Sequence, residues 1–169
     1  KPYPIISAFV NNVSEGLKYR VYGRKDVQFL DYTTYSGRSV YSRSLCFVLS
    51  KAVRDLFPGA HISMKRPISK GYYCTLTKAD GSSASTDDIS AIQARMAEII
   101  AADRPFRRQE ASLDEAVEMF RRHGYDDKVK LLQTSGQVYI TYYTLDGEPD
   151  YFYDALVPST GYLKIFALE

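Results

Sequence analysis

The sequence of 169 residues has no tryptophan, two cysteines and two histidines. Such scarcity leaves few candidates for nucleophilic or acid–base catalysis. His61 and His123 stand without the positioned partners that a general base requires, so the sequence predicts no catalytic residue among them. Cys46 and Cys74 have apolar sequence neighbours, which favours two buried thiols in a reducing compartment over a disulfide.

Long apolar runs and a strong charge imbalance are also absent. No apolar run approaches the ~20 residues of a membrane-spanning helix, and there is no signal peptide. We therefore expect a cytoplasmic protein without a membrane partner. A formal net charge of +2 is too small to indicate nucleic acid on charge alone. Neither GxxxxGK[ST] nor GxGxxG occurs, so no phosphate-binding loop is predicted.

The sequence does contain enough apolar residues for a core, at 45% of the chain, which predicts one compact domain with at most a partial second one. Its central element is a predicted helix over 41–56. Apolar residues recur there with the i, i+3, i+4, i+7 spacing of a one-sided helix. Ser39 or Ser42 is the expected N-cap, and Pro58-Gly59 ends the helix.

The remaining pattern alternates short strands with helices. Two further helices are predicted over 86–102 and 126–134, and the capping box Ser112–Glu115 opens another that ends before Gly124. Hairpin turns such as Leu145-Asp146-Gly147 favour antiparallel pairing. The fold class is therefore predicted as α+β, an antiparallel sheet packed with helices. The predicted strands span 4–11, 19–22, 27–32, 61–65, 71–77, 106–111, 137–144, 150–153 and 162–167, with the turn 67–71 between the fourth and the fifth.

Several polar groups have both an ordinary and a functional interpretation. Asp150 is followed by apolar residues, where a carboxylate needs a partner, but a solvated strand-edge Asp is the favoured reading. Basic clusters could contact phosphate, and the 15 tyrosines could stack on bases. Near-neutral charge favours solvated surface for the clusters, and tyrosine-rich sheets more often pack against helices. The clusters are Lys65/Arg66/Lys70, Arg104/Arg107/Arg108 and Arg121/Arg122.

Four segments of residues 36–168 follow one another in a characteristic order: SGRSVYSRSLCFVLSKAVRDLFPGA, RPISKGYYC, the stretch from DDISAIQ to DDKVKLL, and DYFYDALVPSTGYLKIFAL, of which VPSTG is the most specific piece. In these segments the chain resembles the second additional domain, the editing domain, shared by threonyl- and alanyl-tRNA synthetases. Residues 1–35 resemble the second half of a TGS domain, a β-grasp module. The resemblance thus implies two domains, 1–35 and 36–169.

In that family an H-x-x-x-H on the central helix and a C-x-x-x-H near the C-terminus form one site, a plausible tetrahedral zinc site. Here these positions carry Arg43, Phe47, Phe152 and Leu156, so no metal ligand and no catalytic residue is expected. The resemblance implies that the four positions converge on one point. Arg43 is then expected to line a pocket and to pair with Asp150 or Asp154. If the apolar three fill the pocket instead, it has become core.

Two other family positions are retained, Asp150 and Lys128, and they are candidates for the cleft. An Asp and a Lys alone do not make a metal-dependent deacylase. An active editing domain would therefore need a site remodelled around them.

A second likeness is carried by the segments NNVSEGLKYRVY, YSRSL, SKGYYC, DKVKLL, SGQVYITYY and DYFYDALVPSTGYLKIF. In these the chain resembles the N-terminal part of bacterial nucleoside (uridine) kinase-like proteins, which carry a TGS domain, a degenerate synthetase-like domain and a P-loop kinase domain. It implies that the chain, which begins with Lys1, is a fragment of such a kinase. No cofactor is expected in the fragment. ATP and Mg belong to the downstream kinase domain, which would be its partner in the same chain.

The function hypothesis is a non-catalytic regulatory or recognition region of such a parent, with a small molecule or RNA as the ligand of the cleft. One alternative is a remodelled aminoacyl-tRNA editing domain, a deacylase built around Asp150 and Lys128. The other is an RNA-binding module that uses the basic clusters and the tyrosines.

Overall fold

The computed structural model describes residues 3–68 and 71–169, which form two compact units. The first unit comprises the described residues up to Pro105 together with Asp154–Glu169, and the second is Phe106–Tyr153. The elements in chain order are β1 Ser7–Val10, β2 Val13–Glu15, β3 Val27–Leu30, α1 Tyr35–Leu56, β4 His61–Ile68, β5 Gly71–Thr77, α2 Thr86–Ala101, β6 Arg107–Ser112, α3 Leu113–Arg122, α4 Asp126–Gln133, β7 Tyr139–Leu145, β8 Glu148–Asp150 and a 3₁₀-helix Thr160–Tyr162.

The first unit opens with an antiparallel sheet in the order β2-β1-β3. The prediction of a strand over 19–22 is wrong. These residues have no regular structure, and Val13–Glu15 (β2) pairs with β1 instead. Asn11 and Asn12 both adopt positive φ, 49° and 65°, so the chain reverses in two residues and Val10 pairs directly with Val13. The predicted strand over 27–32 is present as β3.

Helix α1 begins at Tyr35, six residues before the predicted start, and neither Ser39 nor Ser42 is its N-cap. Thr34 caps it, because its Oγ1 accepts a hydrogen bond from the Gly37 amide at 3.1 Å. Glycine is needed at position 37, since a Cβ there would lie 1.9 Å from the Asp31 carbonyl oxygen. The first turn of α1 therefore packs directly against Asp31, the residue that follows β3.

The rest of the first unit is a hairpin and a second helix. Strands β4 and β5 pair antiparallel, while residues 69 and 70 of the turn predicted between them lie outside the described residues, as does Lys70 of the first basic cluster. Helix α2 opens with a capping box, Ser85 with Asp88, and packs against α1. The core of this unit is apolar. It is drawn from β1, β3, α1 and α2 and from residues outside the regular elements: Ile6, Ala8, Val10, Leu30, Val40, Phe47, Val48, Leu49, Ala52, Val53, Ala60, Ile92, Met96, Ile99, Ile100, Ala155, Leu156, Val157 and Leu163.

The C-terminal strand predicted over 162–167 is wrong. The chain forms the short 3₁₀-helix and then runs on without regular structure. Within the described residues no strand pairs with this segment, and a strand without a partner leaves its ladder groups unpaired. Side chains hold it instead: the Tyr41 hydroxyl donates to the Ile165 carbonyl and accepts from the Ile165 amide, both at 2.9 Å.

The second unit is an antiparallel sheet in the order β6-β7-β8 with α3 and α4. The capping box at Ser112 and Glu115 is present, as predicted. The predicted strand over 150–153 is shifted to Glu148–Asp150, because Asp146 and Gly147 alone form the turn and Leu145 pairs with Glu148. A separate apolar core fills this unit: Ala116, Val117, Phe120, Tyr125, Val129, Leu132, Ile140 and Tyr142.

The fold is therefore α+β with small antiparallel sheets and four helices in the part of the chain that the structure describes, which confirms the predicted class at that level. The β-grasp assignment of residues 1–35 and the boundary before residue 36 stay predictions. None of the described helices is both long enough and apolar enough to cross a bilayer.

Candidate functional site

Arg43 occupies the middle of α1 and reaches the segment that precedes VPSTG. Its Nη1 donates to the Ala155 carbonyl at 2.7 Å, and its Nη2 lies 3.0 Å from Asp154 Oδ2. The Arg43 side chain is 22% exposed and that of Asp154 45% exposed. The predicted pairing of Arg43 with an acid is thus confirmed for Asp154, while its lining of a ligand pocket stays a prediction.

Ser44, the next residue on α1, fixes the same segment from inside the core. Its Oγ donates to the Val40 carbonyl at 2.8 Å and accepts from the Val157 amide at 3.0 Å. Ser44 is fully buried, and a buried hydroxyl must be hydrogen-bonded to be tolerated. Two adjacent residues of α1 therefore clamp the backbone of residues 155–157.

Phe47 and Leu156, the second ligand position of each family motif, are core residues of the first unit. They are 1% and 3% exposed. At these two positions the residues are apolar core, the alternative that the sequence left open. Phe152 belongs to the second unit and is half-buried. The convergence of all four positions stays a prediction.

The VPSTG segment anchors the end of α2. Thr160 is fully buried; its Oγ1 donates to the Ile99 carbonyl at 2.8 Å and accepts from the Arg104 amide at 2.9 Å. Asp103 accepts from the Ser159 hydroxyl at 2.5 Å and from the Gly161 amide at 3.0 Å. Hydrogen bonds of residues 159–161 thus fix the VPSTG segment to the end of α2, next to residues 155–157, which contact Arg43 and Ser44.

Lys128 and Asp150, the two retained family positions, form an ion pair within the second unit. The Asp150 side chain is 6% exposed and that of Lys128 21% exposed. Asp150 also accepts from the Tyr151 amide at 2.6 Å. The favoured interpretation of Asp150 as a solvated strand-edge carboxylate is therefore wrong. Asp150 is a buried residue at the end of β8, and Lys128 of α4 supplies the cation that a buried carboxylate requires. Their role as cleft residues stays a prediction.

Aromatic rings surround the Lys128 ammonium. Its Nζ lies 5.6 Å from the centroid of Tyr125 and 5.9 Å from that of Phe152, within the range of cation–π attraction. The Tyr125 hydroxyl in turn donates to Glu148. Ring faces and one carboxylate thus hold the ammonium in place, and the group is a fixed positive charge beside a buried negative one.

The four degenerate positions do not fit a zinc ion. Zinc in proteins is bound by thiolate, imidazole or carboxylate donors. A guanidinium offers only N–H donors, and Phe47, Phe152 and Leu156 have hydrocarbon side chains. Across residues 3–68 and 71–169, no three His, Cys, Asp or Glu side chains are placed together so as to hold a metal ion.

The other candidates of the sequence are dispersed. His61 and His123 are exposed. Cys46 and Cys74 are half-buried thiols, and neither is in a disulfide. Burial raises the pKa of the Cys74 thiol, which makes it a poor nucleophile at neutral pH. Arg121 and Arg122 both pair with Glu118 of their own helix, at 3.1 and 3.2 Å.

Sequence reasoning missed Ser44 and Asp103 as organising residues. Ser44 gave no signal, because a serine between Arg43 and Leu45 in a helix is ordinary surface composition until its burial is known. Asp103 adopts a positive φ of 47° just after α2. An Asp at a helix end that is followed by Pro105 is typical of a turn, but its bonds with residues 159 and 161, more than fifty positions away, leave no trace in local sequence.

No protein-family model matches the chain. It is similar to the threonine--tRNA ligase of Carboxydothermus hydrogenoformans, with 31% identity over 92% of this chain and 23% of that protein. The corresponding enzyme of Symbiobacterium thermophilum is 30% identical over 84% of this chain and 22% of the relative. That of Porphyromonas gingivalis is 25% identical over 97% and 25%. The chain spans about a quarter of the length of these relatives, and most of it is a threonyl-tRNA synthetase-like region.

Proposed function

We propose that the chain is a non-catalytic recognition domain of the synthetase editing type. The observation that carries the proposal is the state of Arg43. At the first ligand position of the family motif stands a guanidinium that is bound to Asp154 and to the Ala155 carbonyl, with no lone pair to offer a metal or a water. The replacement of the second position by Phe47, a core residue, supports the same conclusion.

Deacylation of aminoacyl-tRNA tests the proposal. The purified chain is incubated with seryl- and threonyl-tRNA, and the release of the amino acid is compared with a no-protein blank. We expect no rate above the blank, because the groups that would polarise the ester or activate water are replaced. A rate that vanishes in Asp150→Ala or Lys128→Ala, but persists in Lys130→Ala, would overturn the proposal.

A remodelled deacylase is the second candidate, and the buried pair of Lys128 with Asp150 favours it. A fixed ammonium next to a buried carboxylate is the kind of charge pair that active sites use. Structural ion pairs have the same geometry, however, and Asp150 already accepts a backbone hydrogen bond as well as the lysine. Deacylation that requires Lys128 and Asp150 but not Lys130 would make the pair catalytic, whereas no deacylation leaves it structural. Lys130 is the matched control because it is an exposed cation on the same helix.

The parent protein is also part of the proposal. We propose a regulatory role in a nucleoside (uridine) kinase-like protein, which rests on the resemblance of the quoted segments to the N-terminal part of such proteins. The gene sequence downstream of Glu169 tests it: a strand followed by GxxxxGK[ST] and a helix is expected. Continuation into a synthetase catalytic domain instead would contradict the kinase context and leave the degenerate site unchanged.

A further inference from the structure

A groove of about 1140 Å³ opens on the first unit. One wall is the N-terminal half of α1, and a second is the segment 161–165. A third is formed by Pro67 of β4 and by Gly71 and Tyr72 of β5. This volume exceeds the ~300–1,000 Å³ of ordinary small-molecule pockets. None of Arg43, Phe47, Phe152 and Leu156 lines it, so it is a surface apart from the degenerate positions.

Tyrosine rings dominate the groove. Tyr35 and Tyr72, on two different walls, are 79% and 50% exposed. Tyr32 and Tyr41 also line the groove and pack edge to face with centroids 5.8 Å apart. The Tyr41 hydroxyl donates to the Ile165 carbonyl and accepts from the Ile165 amide. The groove therefore offers two exposed rings, and the helix that carries Tyr35 is hydrogen-bonded to the facing segment through Tyr41.

The charge of the groove is positive among its described lining residues. Arg38 and Lys164, both exposed, contribute cations. Asp103 is the single carboxylate of the described lining, and it already accepts hydrogen bonds from Ser159 and Gly161. An anion entering the groove thus meets two cations and a carboxylate whose charge is partly satisfied.

We propose that this groove binds a nucleotide, with the base stacked on Tyr35 or Tyr72 and the phosphate near Arg38 and Lys164. Exposed aromatic rings beside cations are the combination that recognises a base joined to a phosphate without reading its sequence. The ligand is either a free nucleotide or a nucleotide of a single strand, since both present the same groups. The inference rests on the proposed recognition role and names the ligand class.

Titration calorimetry with the full 169-residue chain tests the inference. The probes are AMP and UMP, a single-stranded hexanucleotide, uridine as the base without phosphate, and ribose 5-phosphate as the phosphate without base. We expect AMP and UMP or the hexanucleotide to bind, and uridine and ribose 5-phosphate to bind at least about tenfold more weakly, because each lacks one of the two contacts. Mononucleotide binding assigns a free nucleotide, and binding of the hexanucleotide alone assigns a strand.

Variants locate the site. At least one of Tyr35→Ala and Tyr72→Ala is expected to weaken binding at least about fivefold, the size of one lost stacking contact. The variant that does so identifies the ring on which the base stacks. Lys164→Gln should reduce the salt dependence of strand binding by about one unit of slope. The matched controls are Tyr22→Ala and Lys18→Gln, which alter exposed residues of the same unit that do not line the groove. They should leave affinity and slope unchanged.

Three results would overturn the inference. The first is the absence of binding by every base-containing probe at millimolar concentration. The second is binding that Tyr35→Ala and Tyr72→Ala both leave intact. The third is ribose 5-phosphate binding as tightly as AMP, which would make the groove an anion site. Failure here does not touch the proposed absence of catalysis, which the deacylation assay tests separately.

Discussion

At the scale of single residues, Arg43 shows what a guanidinium needs in a partly buried place. Arg43 carries five N–H donors and no acceptor, so its surroundings must supply acceptors. The Ala155 carbonyl and the Asp154 carboxylate do so. The bond to a backbone carbonyl is the more protected of the two, because Asp154 is nearly half exposed. We therefore expect Arg43 to contribute to stability mainly through Ala155.

This expectation is testable by substitution. Arg43→Met keeps the apolar stem but leaves the Ala155 carbonyl without its donor, at a cost of about 1.5–3 kcal/mol. Asp154→Asn removes an ion pair with an exposed partner and should cost less than about 1 kcal/mol. Urea unfolding measures both. Arg24→Met, in an exposed loop, is the control and should stay within about 0.5 kcal/mol of the parent. Equal losses for Arg43→Met and Asp154→Asn would contradict the assignment.

The residue scale is also where sequence reasoning was weakest. It gave Asp150 or Asp154 as the partner of Arg43, and the partner is Asp154. It named Asp150 and Lys128 together only as retained positions. It read Asp150 as solvated because a strand edge next to a turn is usually wet. The burial of Asp150 depends on where β8 packs within the second unit, and the local pattern of an isolated carboxylate carries no information on that.

At the scale of elements, helix starts decide much of the architecture. The capping box at Ser112 was predictable because Glu follows three residues later and an apolar run begins at once. The start of α1 was not, because Thr34, Ser36, Ser39 and Ser42 are all residue types that can cap. Thr34 does so in the turn that brings Gly37 against the Asp31 carbonyl, and the residue types alone do not show where that turn forms. Likewise the segment after Thr160 has strand-forming residues, but no strand of residues 3–68 and 71–169 pairs with it.

The capping box of α2 predicts a pH dependence. Hydrogen bonds from Lys78, 2.6 Å away, and from the Ser85 amide and hydroxyl lower the pKa of Asp88 from 3.8 to about 2. A carboxyl whose pKa is lower in the folded state stabilises the fold above its unfolded pKa, and this contribution is lost as pH falls toward 2. We expect the urea midpoints of the parent and Asp88→Asn to differ at pH 6 and to converge between pH 4 and pH 2.

Two companion variants check the cause. Lys78→Met removes the largest of the interactions that lower the pKa of Asp88, so the loss of stability should begin at a higher pH than in the parent. Lys18→Met, an exposed lysine elsewhere, should leave the profile as it is. A difference between parent and Asp88→Asn that stays constant from pH 6 to pH 2 would show that the carboxylate charge is not what stabilises the helix start.

At the scale of the whole molecule, the second unit is an insertion in the first. The chain leaves the first unit at Pro105 and returns at Asp154, and a β-bridge between Pro105 and Ser159 holds the exit beside the return. Each unit has its own core. The fold class could thus be predicted from the hairpin turns and helix caps. The division into two units could not, because the sequence does not show that residues near Pro105 and near Ser159 pair with each other.

Separate cores predict separate responses to core truncation. Phe47 and Phe120 are the largest fully buried side chains of the first and second units, and a buried Phe→Ala costs about 3–5 kcal/mol. Amide hydrogen exchange should therefore lose protection in α1 and α2 by roughly a hundredfold or more in Phe47→Ala, and in α3 and β7 in Phe120→Ala, with a much smaller change in the other unit. Tyr153→Ala, 86% exposed, is the control. Equal loss of protection in both units by either variant would show that the two cores unfold as one.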